Sequence, residues 1–400
     1  MVRGGVFSRP VLRFGSGTSI YPYEGFKLGF GPFSGPDTVR LCFICPRGMY
    51  SYSRVLMDNL VYGVRGFGGL TGWFGCRVGD IEYFFESYDR YADVIDSIED
   101  VDVAIVAVPD ENYPGFEEDP YVPVKQALAL RGIPSQMVTY STIRRLAGKS
   151  YVLFNLALSI YCKAGGIPWV LGDRLLGDAY IGLDTVGNNV VVTVFVFDGG
   201  IFFDWRFEFN PGVEVIYSIR NVLTLALDVI HRHAGRVNLI VVHRDGSTFD
   251  VELEAVRDVM DSAVDEGVAS NWVFVEVKKR AVPRVTRRVG RRVTNPEKGT
   301  FYVLDKYRYL VVTSGFPEHP YIDVSGLVRP VVVELAEASN WEVSMYDIAR
   351  DVYWLSELHW ASAFASTRLP ITTLYAHRIC SFLRLGVSPS EEYYSRLWFL

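Results

Sequence analysis

The chain has little of what would mark a secreted, membrane or zinc-finger protein. Five cysteines in 400 residues are too few, and odd in number, for a disulfide framework, which points to a reducing compartment. Cys42 and Cys45 form a lone Cys-x-x-Cys with no second pair and no neighbouring His pair, so they read as strand-core thiols. His231 and His233 sit on a helical stretch at a spacing that turns them to different faces, and they read as surface residues. Long apolar runs are missing: Val190 to Val196 is broken by Thr193 and falls far short of a bilayer's thickness. No Lys/Arg region followed by an apolar core opens the chain. A soluble, cytoplasmic protein with no membrane span is expected. There is no G-x-G-x-x-G and no Walker loop in the regular α/β part, so no nucleotide cofactor is expected.

What the chain does have is apolar content, 49% of it, enough for two or three cores at this length. A net charge of −6 does not suggest nucleic acid, but the distribution does. Between Lys278 and Arg292 eight cations fall in fifteen residues without an acid. Such a run repels itself unless polyanions are near. It reads either as a solvated basic loop or as a surface for phosphate backbone, with Lys278, Lys279, Arg280, Arg284, Arg287 and Arg288 as the contacts.

Residues 1–95 alternate short apolar runs with Gly-rich turns and read as mixed strand and loop, with a helix near Tyr88 to Ile98. From Val101 the pattern becomes regular: a strand to Val108, a helix Tyr121 to Arg131 closed by Gly132, a strand Gln136 to Tyr140, and a helix Tyr151 to Ala164 stopped by Gly165-Gly166. This predicts a small Rossmann-like unit over 96–175. Tyr121 and Lys125 share a helix face, Gln136 opens a strand, and Lys163 lies in a helix's last turn. Packed as in a Rossmann unit they could converge on one anion, although Lys163 would serve equally as a C-terminal cation complementing the helix dipole.

Three strands follow, Ala179 to Val186, Val190 to Phe197 and Ile201 to Arg206, then an amphipathic helix Glu214 to Ala234, a strand Val237 to Gly246, a helix Asp250 to Asp265 and a strand Trp272 to Val277. That order is the topology of the ribonuclease-H-like α/β fold. It sets the first strand beside the one after the long helix, so Asp184 and Asp245 become neighbours. Two adjacent carboxylates repel unless divalent cations neutralise them, and such a pair is suited to hold two Mg²⁺ or Mn²⁺ ions for phosphodiester hydrolysis. His243-Arg244-Asp245 also looks like a kinase catalytic loop, but the Asn expected five residues on is Asp250, and no glycine-rich loop precedes it.

Several motifs in order resemble the Argonaute family, specifically its MID and PIWI domains: Tyr121-x-x-x-Lys125, Gly132 to Gln136, Asn155 and Lys163, Gly165 to Val170, Ile181 to Asp184, His243 to Gly246, Asn295-Pro296 to Gly299-Thr300, Gly326 to Pro330, and Leu369-Pro370 to His377. The resemblance runs from about residue 100 to the end. It implies a MID-like domain over 96–175, a ribonuclease-H-like PIWI domain over 176–400, and an N-terminal subdomain over 1–95. It implies a guide 5′-phosphate pocket of Tyr121, Lys125, Gln136 and Lys163, and a catalytic set of Asp184, Asp245, His377 and a glutamate, Glu214 or, failing that, Glu208. The metal ligands would be Asp184, Asp245 and His377. The expected partners are a guide and a target strand, DNA or RNA. Too little chain remains for the family's other domains, so a short member is expected. Short members often act with an effector protein partner in host defence without cutting, but the matched acidic set leans toward an enzyme, a metal-dependent endonuclease that cuts the target strand paired to a 5′-phosphorylated guide. In some relatives the C-terminal carboxylate and a side chain one turn before Lys163 hold a metal at the guide phosphate; here that side chain is Ser159.

Overall fold

A computed structural model describes residues 3–110, 121–209, 215–314, 326–340, 342–364, 367–390 and 394–400. The chain forms two compact units, one of Met1–Val11, Leu171–His359 and Phe364–Arg384, the other of Leu12–Val170, Trp360–Ala363 and Leu385–Leu400. The first strand, β1 (Arg3–Val6), belongs to the former.

The unit containing residues 12–170 is built on a four-stranded, wholly parallel sheet. Its strands are β2 (Leu41–Cys45), β3 (Glu82–Phe85), β4 (Val103–Val108) and β5 (Ser135–Thr139), in the order β3-β2-β4-β5. Every residue of β2 and β4 is buried, as continuous apolar runs in a parallel sheet should be. Around it lie α1 (Tyr50–Tyr62), α2 (Tyr121–Leu130) and α3 (Ser150–Lys163). The expected boundary near residue 95 is not a break in this sheet, because β2 hydrogen-bonds to β4 and β3 to the far side of β2. The tail also folds here: Leu397, Trp398 and Phe399 are buried. Cys42 and Cys45 are free and buried in β2. The helix expected from Tyr88 to Ile98 is a 3₁₀ turn, Tyr88–Arg90, followed by a short α-helix, Tyr91–Ile95.

The other unit is a nine-stranded mixed sheet. In chain order, after β1, its strands are β6 (Ala179–Val186), β7 (Asn189–Val196), β8 (Phe202–Phe209), β9 (Val237–Asp245), β10 (Ala269–Lys278), β11 (Thr300–Val303), β12 (Arg308–Val311) and β13 (Val331–Ala338). They are arranged β1-β11-β12-β13-β10-β9-β6-β7-β8, with β6, β9 and β10 parallel and the remaining pairs antiparallel. The five strands from β10 to β8 carry the expected ribonuclease-H-like order. One face is closed by α4 (Val215–Ala234) and α5 (Asp250–Asp265). Ile219, Val222, Leu223, Ala226, Val229 and Ile230 of α4 repeat at helical spacing and pack with Ile181, Leu183, Val192, Ile240 and Val242. Each Val, Leu or Ile among them contributes about 1.5–3 kcal/mol relative to exposure. After α6 (Met345–Ser356), α7 (Ile371–Arg384) packs on β6 and β7. His231 and His233 are exposed, as expected, with His233 stacked on Phe202.

Candidate metal centre and nucleic-acid-binding site

Leu183 of β6 pairs with Arg244 of β9, so the next positions on these parallel strands, Asp184 and Asp245, stand side by side. Both are buried. Gly246 follows in the left-handed region at φ 100°, which lets the chain turn away directly behind the carboxylate. The third member comes from α7. His377 Nδ1 lies 2.9 Å from Asp184 Oδ2 and 3.7 Å from Asp245 Oδ2. One ligand atom from each of the three falls within 4.8 Å of the others, the only such metal-capable group found among the described residues.

The donor set fits a hard divalent cation. Two carboxylates and an imidazole converge, and Asp245 Oδ1 is buried without a hydrogen-bond partner, an arrangement that is costly unless a cation or water supplies the missing interaction. Burial pushes the Asp245 carboxyl above its usual range, and the neighbouring Asp184 charge adds to this while Lys279 opposes it. The group opens into a cleft of about 660 Å³ whose rim includes Lys278, Lys279, Arg280 and Arg384.

The seating of α7 determines where His377 sits. Gly182 of β6 faces the helix at a close approach: a methyl there would meet the Thr372 carbonyl oxygen at 2.2 Å. Thr193 Oγ1 donates to that same carbonyl at 2.8 Å, and Thr372 Oγ1 is 2.9 Å from His243 Nδ1. Burial pushes the His243 pKa down to about 3, so the ring is a neutral hydrogen-bonding strut. This seam escaped the sequence reading, as did Arg244. Arg244 is buried, with Nη1 3.4 Å from Asp184 Oδ1 and Nη2 3.3 Å from Glu252 Oε1, and it donates to Thr185 Oγ1 and the Asp245 carbonyl. An arginine inside a buried apolar strand demands such partners, and that is the signal by which the sequence could have revealed it.

Glu214, expected as the catalytic glutamate, lies outside the described residues. The fallback, Glu208, pairs with Val190, whose side chain is in the core beneath α4. Strand alternation therefore sets Glu208 on the face opposite Asp184.

The six basic residues separate into different settings. Lys278 is held by Glu276 at 2.6 Å and Glu334 at 2.7 Å. Lys279 reaches Asp245 Oδ2 at 2.5 Å, and Arg280 lines the cleft. Arg284 donates to the Val328 carbonyl. Arg287 pairs with Glu297 and Arg288 donates to the Gly290 carbonyl, both on an exposed hairpin, Arg287–Val289 with Arg292–Thr294.

The expected phosphate pocket lies in the other unit. Lys163 Nζ donates to Gln136 Oε1 at 2.5 Å and to Ser159 Oγ at 3.1 Å, and Ser159 donates to the same Gln136 oxygen at 2.7 Å. Lys125 Nζ donates to the Trp398 carbonyl at 3.2 Å and lies 5.9 Å from the centre of the Tyr121 ring. Lys125 and Lys163 are both almost fully buried, and burial pushes the Lys125 pKa down to about 8.

Sheet order and the paired carboxylates of adjacent parallel strands define a ribonuclease-H-like domain of the PIWI type. The Piwi domain family model matches residues 113–387, and the chain belongs to that family. No curated protein sequence matches it. Among solved structures it is similar to Clostridium butyricum Argonaute bound to a guide DNA and a 19-mer target DNA, at 24% identity and a TM-score of 0.80, covering 100% of this chain and 55% of that one. It is also similar to Drosophila Piwi, at 17% identity and a TM-score of 0.75 over 99% and 56%, and to Aa-Ago with externally bound siRNA, at 18% and 0.69 over 100% and 56%. The chain thus spans about half the length of these relatives.

Proposed function

We propose that the protein binds a guide strand by its 5′-phosphate, presents it to a complementary target, and cuts that target in a metal-dependent reaction. The observation that carries this reading is the convergence of Asp184, Asp245 and His377 at the mouth of a cation-rimmed cleft. The three would hold Mg²⁺ or Mn²⁺, which when bound supplies charge neutralisation at a phosphodiester and activation of water. The chain's own residues then divide the remaining work. Asp184 and Asp245 provide rigid anionic seats side by side on paired strands. The Thr372–His243 and Thr372–Thr193 bonds hold α7 so that His377 stays in reach of both. Arg280 and Arg384 line the rim, where backbone phosphates would pass. Lys163, Gln136, Lys125 and Tyr121 receive the guide's terminal phosphate, the two lysines in charge-assisted hydrogen bonds. Base pairing supplies specificity, and phosphate contacts supply a strongly salt-dependent affinity. The five free, buried thiols suit a reducing cytoplasm.

A second reading, a guided module that binds without cutting and recruits an effector protein in host defence, is favoured by one observation. The acidic pair already has internal cations, Lys279 on Asp245 and Arg244 on Asp184. The test is to extract the nucleic acid that copurifies with the protein, type its sugar and 5′ end, and assay guided cleavage with Mn²⁺. Cleavage that disappears in Asp184→Ala and in Asp245→Ala supports the nuclease. Undiminished cleavage in either variant excludes this centre, and binding without cleavage by the wild type selects the silent module.

A further inference from the structure

Lys279 belongs to two neighbourhoods at once. Its ammonium lies 2.5 Å from Asp245 Oδ2, and a carboxylate oxygen of Asp245 is among the atoms a divalent cation would take. The same residue also lines a second pocket, of about 410 Å³, whose charged lining is Lys279, Arg280, Arg284, Arg329 and Arg368, with no carboxylate. Arg368 is pinned at its edge by donating to the Lys279 and Pro330 carbonyls. Lys278 cannot play this double part, because Glu276 and Glu334 hold it.

Lys279 holds Asp245 Oδ2, the oxygen that faces His377 at 3.7 Å, so a divalent cation seated among the two aspartates and the imidazole would meet the ammonium at close range, where like charges repel strongly. The displaced lysine has a flexible four-carbon stem, but the adjacent pocket is already crowded with guanidinium charge. It becomes favourable for the lysine only when an anion is there. We infer that Lys279 is an internal cation that occupies the metal centre until a backbone phosphate fills the adjacent basic pocket, so that divalent-cation binding and phosphodiester binding reinforce each other. This rests on the reading of Asp184, Asp245 and His377 as a metal centre. The coupling is reciprocal: whatever factor phosphate adds to metal affinity, metal adds to phosphate affinity.

The experiment measures binding, not cleavage. Free Mn²⁺ is followed by electron paramagnetic resonance on the full, nucleic-acid-free chain, and the affinity of a labelled DNA duplex is measured by anisotropy with and without Mn²⁺. Lys279→Met keeps the stem and removes the charge. It should bind Mn²⁺ about tenfold more tightly than the wild type, a factor typical of site-to-site coupling. Lys279→Arg keeps a cation and should stay near the wild type, which separates charge from packing. Mn²⁺ should tighten duplex binding to the wild type by a similar factor, and should do so much less in Lys279→Met; simple bridging of metal to phosphate would tighten both equally. If Lys279→Met binds Mn²⁺ no better than the wild type, the inference is overturned while the metal centre stands. If neither protein binds Mn²⁺, both fall.

Discussion

Gly182→Ala is a sharp test of how the metal centre is assembled. The added methyl would lie 2.2 Å from the Thr372 carbonyl oxygen, 2.4 Å from its carbon and 2.6 Å from Thr193 Oγ1. Carbon atoms in comfortable contact sit about 3.5–4 Å from their neighbours, so something must move by roughly 1 Å. Thr193 can rotate, but the other two atoms are backbone of α7, so the helix itself must lift. Overpacking of this kind costs about 1–3 kcal/mol. Losing the Thr193 and His243 hydrogen bonds to Thr372 adds about 1 kcal/mol each, for a total of about 3–5 kcal/mol. Because α7 also carries His377, lifting it breaks the 2.9 Å contact with Asp184. Urea unfolding should show an earlier midpoint, and Mn²⁺ titration a weaker site. Adding Thr372→Ala should not restore either, since the clash is with the Thr372 backbone. An unchanged midpoint together with unchanged Mn²⁺ affinity would refute the close seating of α7 on β6.

Two other expectations follow from buried charge. With its pKa pushed down to about 8, the Lys125 amine is charged below that pH and neutral above it, so affinity for a 5′-phosphorylated strand should fall as pH rises through about 8. Lys125→Met should weaken binding and flatten that limb in an anisotropy titration. Lys298 and Glu357 form a nearly buried pair at 2.5 Å, and Glu357→Gln should cost about 3–5 kcal/mol by leaving the ammonium without its counter-charge. Burial already lowers the Lys298 pKa, so the loss in urea midpoint should shrink toward alkaline pH, where the neutral amine needs no partner.

Elements with strong periodicity were legible from the chain alone. The helix Asp250–Asp265 and the strand from Val237 are where the pattern sets them, because both are long and their burial is regular. The placement of Asp184 beside Asp245 followed from strand order. His377 was found only through its motif, since a helix brought in from far along the chain leaves no local trace. The four-stranded parallel sheet was legible only from β4 onward. Five apolar residues such as Leu41–Cys45 suit a strand or a helix turn equally, and their pairing is decided by partners distant in sequence. The internal ion pairs of Lys278 and Lys279 were hidden for a related reason: a charge run looks solvated until the fold brings carboxylates to it.

The pairing of Arg3–Val6 with Thr300–Val303 bears on how the chain is made. During synthesis this strand exists long before its partner, and loop closure over such a separation is slow. An unpaired strand waiting that long is a hazard if it is sticky. This one reads Arg-Gly-Gly-Val, with two glycines that disfavour strand structure on their own. Gly4 is also a position where a methyl would come within 2.5 Å of the Phe301 carbonyl oxygen. The strand is therefore reticent in isolation and close-fitting once β11 arrives, which lets a nascent chain delay that pairing without mispairing.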